Sequence, residues 1–338
     1  MDLIYRDALG AVCLHGRHRE SPSAVSSPHS AFGRGGAGVI ERRNVLLADL
    51  PTLYPRLGNR VRHASTFRAL GMACWNLLGY SDVASLVPYN PIAEVFSDDG
   101  RTIRAPWGER IFGSGALARV LDLLQSDPGS FRGVVPVFGP MDVGVESRDV
   151  PCLIALILSR EPGAVRVSVS FRALNAFSVF PYDFALISVL AEACRAHLGE
   201  ARAVLDIFAH SLHLDAGQLP VAQAALDEYG HVPQPIPWQF RDGPMDLALA
   251  ELADLEAQTR DLVGESGGAD AIVALGRKVG GKGSTWASQL VGRMISEYLA
   301  EQSVKAGASG FPDHNEVARV ADDWYAEWFV ATAVGNRS

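Results

Sequence analysis

The chain reads as an α/β (α+β) protein with a helical C-terminal extension, and three observations carry that reading. Strand-like runs at 133–138, 152–158, 165–171 and 203–214 interleave with helical patterns. The run VRVSVSF at 165–171 alternates apolar and polar residues with period two, as a half-buried strand does. Residues 244–336 hold amphipathic stretches such as TWASQLVGRMISEYLAEQ (285–302), set apart by Gly-rich turns. With 338 residues, 48% of them hydrophobic and 20% charged, the chain can build one large domain with an appendage, or two domains.

Taken in order, residues 2–15 place apolar side chains at helical spacing, and Gly16 ends the pattern. The stretch 17–38 is rich in Ser, Pro and Gly and predicts a long surface loop of the kind that often carries function. TFRALGMACWNLLG (66–79) predicts a helix closed by glycine, and SGALARVLDLLQ (114–125) an amphipathic helix with Ser114 as its cap. Strands at 133–138, 152–158 and 165–171 follow, then a buried helix over 184–198 and a strand over 203–214. Prolines hold 233–237 (PQPIP) extended.

A formal net charge of −8 argues against a surface that coats nucleic acid, although local arginines can still bind one anionic ligand. No run approaches the ~18 uninterrupted apolar residues of a membrane span, and the N-terminus lacks the basic start and apolar stretch of a secretory leader. A soluble, cytoplasmic protein is expected. The four cysteines, Cys13, Cys74, Cys152 and Cys194, form no CxxC pair, so neither a disulfide framework nor a zinc site is indicated. GGKGST (280–285) fails the phosphate-loop pattern because Gly283 follows Lys282, and the histidine pairs in HGRH (15–18) and HSLH (210–213) lack a third metal ligand.

Cys152 follows Pro151 at the head of the apolar run CLIALIL. Free cysteine commonly serves as a small core hydrophobe. A proline, however, marks the first residue of a strand, so Cys152 belongs at a strand mouth where side chains can meet a ligand.

Reading outward from Cys152, ordered motifs accumulate: DPGSFR (127–132), PC (151–152), a strand ending in Arg172, NAFSVFPYD (175–183) ahead of an apolar helix, and QLPVAQAALDEYGHVPQPIP (218–237). Over roughly residues 2–240 this resembles the thymidylate synthase family, whose runs are DPxSRR, PC, QRSxDxxLGxPFN and a late QxxxxL…PxPxP. The resemblance implies a central bent mixed sheet flanked by helices. It implies a nucleotide-binding catalytic domain over 1–240, with 241–338 as a helical extension that has no counterpart, and a homodimer with shared active sites.

The same resemblance assigns chemistry. Cys152 becomes the thiolate that adds to carbon 6 of a pyrimidine and makes carbon 5 nucleophilic toward a one-carbon electrophile, with 5,10-methylenetetrahydrofolate as the implied donor. Arg172 and Arg132 stand at phosphate-binding arginines, Arg132 serving the partner subunit; Phe131 replaces the arginine before it, and Arg17 or Arg19 falls near the N-terminal phosphate arginine. Asp183 replaces the asparagine that reads uracil. A carboxyl there accepts from the amino group of cytosine and, when protonated, donates to N3, although the same residue suits a helix cap. The resemblance is therefore nearest to the cytidylate and deoxycytidylate hydroxymethylases, the former feeding nucleoside antibiotic biosynthesis. Ala173 replaces the serine after the phosphate arginine, and Ser211 and His213 stand at the HxY pair that holds the ribose, leaving room for an extra hydroxyl. Trp107 before Gly108 replaces the customary tyrosine, Asn175 the aspartate that holds the pterin, and Met72, three residues before Trp75, the catalytic glutamate. These last departures keep open a second reading: a homologue that binds a nucleotide or related small molecule without folate chemistry.

Overall fold

The structure, a computed structural model, describes residues 1–19, 38–55, 61–62, 64–228, 237–238, 240–264, 269–280 and 285–305. Most of the expected 17–38 loop, the centre of the GGKGST segment (281–284) and most of the proline-rich 233–237 segment lie outside the described residues.

A seven-stranded mixed sheet organises the chain. Its strands are β1 (Arg17–Arg19), β2 (Val39–Pro51), β3 (Val134–Pro136), β4 (Leu153–Glu161), β5 (Ala164–Phe171), β6 (Leu174–Asn175) and β7 (Arg202–Asp215), in the order β1-β2-β7-β5-β4-β3 with β6 added beside β7. Only β5 and β6 run parallel to β7; the other pairs are antiparallel. The parallel pairing follows from the crossover helix α5 (Phe180–Leu198), which returns the chain to the same end of the sheet. Register shifts in β2 between Leu47 and Leu50, and in β4 between Leu153 and Ala155, interrupt the ladder and bend it.

The period-two pattern decides which face is buried. Val165, Val167, Val169 and Phe171 of β5 register against Ala203, Leu205, Ile207 and Ala209 of β7, and all eight are buried on the side of α5. The opposite face carries Arg166, Ser168, Asp206 and Phe208, with Leu46 60% and Ile157 48% exposed beside them. Farther along β7, Leu212 and Leu214 point the same way as Phe208 but are buried where α1 (Asp2–Cys13) packs over the sheet, next to α6 (Leu219–Asp227).

Helices α2 (Thr66–Leu77), the single-turn α3 (Val83–Leu86) and α4 (Ala116–Ser126) complete the N-terminal part. Ser65 caps α2 by accepting from the Arg68 N–H at 3.1 Å. The cap of α4 differs from the sequence expectation: Gly115, left-handed at φ 66°, holds that position, because the chain must turn sharply out of the irregular segment before it, while Ser114 Oγ accepts from the Ala116 N–H at 3.2 Å.

After residue 240 come α7 (Met245–Gly264), α8 (Ala269–Gly280) and α9 (Trp286–Lys305). Their apolar faces join the same buried cluster as α2 and α5: Leu252, Ile272, Trp286 and Met294 share it with Leu70, Phe184 and Leu190. Buried polar ties cross the junction, with Tyr54 donating to Glu297 at 3.0 Å and Tyr89 to Glu256 at 2.8 Å. Among the described residues no helix is long and apolar enough to cross a membrane.

Candidate active site

Cys152 sits immediately before β4, one residue ahead of the register shift that re-aims the strand. Its carbonyl accepts the Arg172 N–H at 2.9 Å, which ties the mouth of β4 to the end of β5. The Arg172 side chain reinforces that tie, because Nε donates to the Pro151 carbonyl at 2.8 Å and Nη2 to the Val150 carbonyl at 2.9 Å. One face of this exposed guanidinium is therefore fixed to the backbone that carries Cys152, and its remaining N–H groups are available to an anion.

The thiol is half-buried and weakly acidic. Burial pushes it up to about 11, Arg172 opposes that push, and the carboxyls of Asp183 and Asp149 add to it. Arg172, Asp183 and Asp149 thus all lie close enough to act on the sulfur. The catalytic candidates drawn from three separate motifs are therefore within electrostatic reach of one another.

Asp183 lies in the first turn of α5, its N–H donating to the Val179 carbonyl at 3.1 Å. The helix begins at Phe180, four residues before the expected start, so Val179 and not Asp183 holds the cap position, and no side-chain hydrogen bond is made there. The capping alternative drops out because Asp183 is already inside the helix. Loss of solvation pushes its carboxyl up to about 8, with no compensating cation among the described residues. A carboxyl with that value is largely protonated at neutral pH, so it can donate and accept at once.

The segment ahead of α5 is held by Arg62, whose Nε and Nη2 donate to the carbonyls of Phe177 (2.9 Å) and Ser178 (3.0 Å). Asn175 is buried, and its Oδ1 accepts from the N–H groups of Phe177 and Ser178 at 3.0 and 2.8 Å, while Nδ2 reaches Gln218 Oε1 at 3.5 Å. Its amide is therefore committed to shaping the turn. Met72 is apolar and packs against the buried clusters on both sides of it. Met72 offers no polar atom and Asn175, its oxygen committed to the turn, offers only the second N–H of Nδ2, so neither supplies a free acceptor to a pterin and these two positions do not fit that group.

Trp107 is half-buried, its ring 5.6 Å from that of Phe171, the residue before Arg172. It is placed by a close backbone approach: Gly108 donates its N–H to Asn76 Oδ1 at 3.2 Å, and a Cβ on Gly108 would fall 1.8 Å from the Asn76 carbonyl oxygen. Only glycine fits there.

The sugar-side candidates lie across the sheet. His213 of β7 registers against Glu41 of β2 and against Asn175 of β6, and Ser211 lies two residues away on the same face. Burial lowers the His213 pKa and Arg172 lowers it further, against the opposing pull of a hydrogen bond to the Ser211 backbone and of Asp215 and Glu41. The ring is therefore near Arg172 and neutral at pH 7. Ala173, half-buried, links Arg172 to β6. Arg19 reaches Glu41 at 3.5 Å, while Arg17 registers opposite Glu41 on the exposed β1. Arg132 is placed differently. It is 76% exposed, pairs weakly with Asp127 at 3.7 Å, and precedes β3 at the end of β4 remote from Cys152. Six or seven strand residues at ~3.3 Å each put it on the order of 20 Å from the thiol of its own chain.

Two residues at the site had no sequence signal. Glu41 lies on β2, whose run VIERRNVLLADLP lacks clean alternation and holds two non-glycine residues at positive φ, Asn44 (53°) and Asp49 (55°). Asp149, which accepts from the Ala105 N–H at 2.7 Å and whose carboxyl burial pushes up, lies in an irregular segment where only folding brings it to the sulfur.

Among known proteins, the chain is 26% identical over 185 residues to the deoxyuridylate hydroxymethyltransferase of Bacillus phage SP01, a match covering 50% of this chain and 46% of that protein. The chain resembles that enzyme. It spans about half the length of the relative it matches, and no family model matches it.

Proposed function

We propose that the chain is a pyrimidine nucleotide C5 hydroxymethyltransferase acting on a cytosine nucleotide, CMP ahead of dCMP, through a covalent Cys152 adduct at carbon 6. The observation that carries this reading is that the Cys152 thiol, the Arg172 guanidinium and the desolvated Asp183 carboxyl lie within electrostatic reach of one another. Arg172, with Arg19 or Arg17, suits the phosphate. Asp183, neutral at pH 7, suits the edge of cytosine, which presents one donor and one acceptor. Deprotonated Cys152 adds to carbon 6 and so makes carbon 5 nucleophilic; methylenetetrahydrofolate, if bound, would supply the methylene group and leave as tetrahydrofolate once carbon 5 gives up its proton, water would then add to the exocyclic methylene, and expulsion of the Cys152 thiolate from carbon 6 would restore the ring. Trp107 packs against Phe171, the residue before Arg172, and so supports the strand end that carries the guanidinium.

The relative's name specifies a uracil deoxyribonucleotide. Asp183 argues for cytosine on this chain, and Ala173 with Ser211 for a ribose carrying both hydroxyls, as a role in nucleoside antibiotic biosynthesis requires. The implied donor is methylenetetrahydrofolate. Because Met72 and Asn175 do not fit a pterin, other residues have to seat it, and those two positions favour the second reading of a nucleotide-binding homologue without folate chemistry.

The reading also includes a homodimer with 1–240 as its catalytic part and 241–338 as an extension. The remote, exposed Arg132 supports a partner's phosphate as its target, and the apolar Leu46 and Ile157 on the uncovered sheet face suit a second copy. Incubation of the protein with CMP, dCMP, UMP or dUMP plus methylenetetrahydrofolate, followed by mass spectrometry, tests the activity. Addition of one CH2O unit to CMP is expected. Nucleotide binding without any product supports the second reading instead.

A further inference from the structure

Glu41 is an acidic side chain beside the sugar-side candidate His213, and the reaction outlined above gives it no task. It stands directly opposite His213 on the antiparallel β2–β7 ladder, and His213 stands beside Asn175, so the three residues occupy one level on one face of the sheet. Its side chain is only 9% exposed, with Arg43 at 3.2 Å from Oε2 and Arg19 at 3.5 Å from Oε1. Burial pushes the Glu41 carboxyl up, but the Ser211 hydroxyl and the two guanidinium groups outweigh it and hold the group below its ordinary value, so it is ionised at neutral pH. Beside it, Nδ1 of His213 is buried without a well-formed hydrogen bond. Its nearest partner is the Ser211 backbone, so a buried ring that is only weakly satisfied stands next to a built carboxylate, where a ligand's polar group can add a bond.

The ligand's chemistry narrows what that group is. An ionised carboxylate only accepts hydrogen bonds. A phosphate dianion offers no donor to a carboxylate and is the partner of Arg172 and the arginines of β1, and the base is the partner of Cys152 and Asp183 near the start of α5. The donors that remain on a nucleotide are the ribose hydroxyls, and two adjacent hydroxyls match the two oxygens of one carboxylate. We propose that Glu41, next to His213, accepts hydrogen bonds from the ribose hydroxyls and makes the site select a ribonucleotide over its 2′-deoxy counterpart. This rests on the nucleotide reading given above.

Binding of CMP and dCMP by calorimetry to the wild-type protein, Glu41→Gln and Glu41→Ala tests the assignment, with thermal melting to establish that each variant is folded. The wild type is expected to favour CMP by about tenfold or more, since a site built around a hydroxyl is left with an unpaired acceptor when that hydroxyl is missing. Glu41→Ala is expected to lose about tenfold or more for CMP and under about threefold for dCMP, erasing the preference. Glu41→Gln keeps size and one acceptor oxygen, so it is expected to fold and to fall between the two. A parallel change for both nucleotides in either folded variant overturns the assignment, because it means that Glu41 only orients Arg19 and Arg43. An unchanged preference overturns it equally. If the wild type binds neither nucleotide, the nucleotide reading itself falls and Glu41 with it.

Discussion

At the scale of single residues, the site depends on two acids whose protons are displaced by burial. Asp183 holds its proton up to about pH 8 in the folded chain, whereas the unfolded chain releases it near the ordinary carboxylate value. Between those values the folded state binds more protons than the unfolded one, so this group's stabilising contribution is complete at low pH and is lost as pH rises toward about 8. Asp183→Asn is expected to remove that slope from the pH dependence of thermal denaturation. The same substitution is expected to move the CMP-to-UMP affinity ratio toward uracil by about tenfold or more, because a mismatched buried edge costs on the order of 1–3 kcal/mol. For the unsubstituted protein, CMP affinity should weaken as pH climbs through about 8, where the donor proton is lost. An unchanged base preference in a folded Asp183→Asn protein leaves Asp183 without the reading role. Cys152, Arg172 and Asp183 were legible in the sequence because each sits in a short motif of fixed spacing. Glu41 and Asp149 were not, since neither has a motif around it and each reaches the site only through tertiary folding.

At the scale of elements, the strands and helices that bury one clean face were readable from periodicity: β5 alternates, α4 is amphipathic, and α5 is apolar throughout. The strand β2 escaped because its polar first half, Glu41-Arg42-Arg43-Asn44, is half-buried at Glu41 and exposed over the next three residues, so no single period describes it. The α4 cap shifted by one residue for a comparable reason, since the left-handed turn at Gly115 is set by the irregular segment before it. That segment is anchored to α2 at Gly108, where the backbone of Asn76 leaves no space for a side chain. Gly108→Ala is expected to destabilise the protein by about 2 kcal/mol or more, because the backbone atoms it meets cannot swing away as a flexible side chain would. Displacement of Trp107 should accompany that loss and show as a change in tryptophan fluorescence.

For the whole molecule, the notable feature is the continuity of the core past residue 240. The sequence resemblance ends there, yet Trp286 and Met294 share a buried cluster with Leu70 and Phe184. Trp286 is fully buried and stacks on Phe240 at 5.2 Å, so Trp286→Ala is expected to cost about 3–5 kcal/mol. Because the cluster is shared, that loss should appear as one cooperative transition at lower temperature in scanning calorimetry, and not as early melting of a separate C-terminal unit. The homodimer is a statement at this scale as well, and sedimentation of the wild type beside a Leu46→Asp, Ile157→Asp variant tests whether the uncovered sheet face joins two copies. The central claim, that Cys152 adds to the base and activates carbon 5, has a more direct test. Cytidylate tritiated at carbon 5 should release tritium to water in the presence of the wild-type protein alone, because the reversible adduct makes that position exchange. Cys152→Ser, folded and still binding CMP, should show no release above background. Equal release from both proteins, or none from the wild type at a CMP concentration that saturates it, would contradict the account.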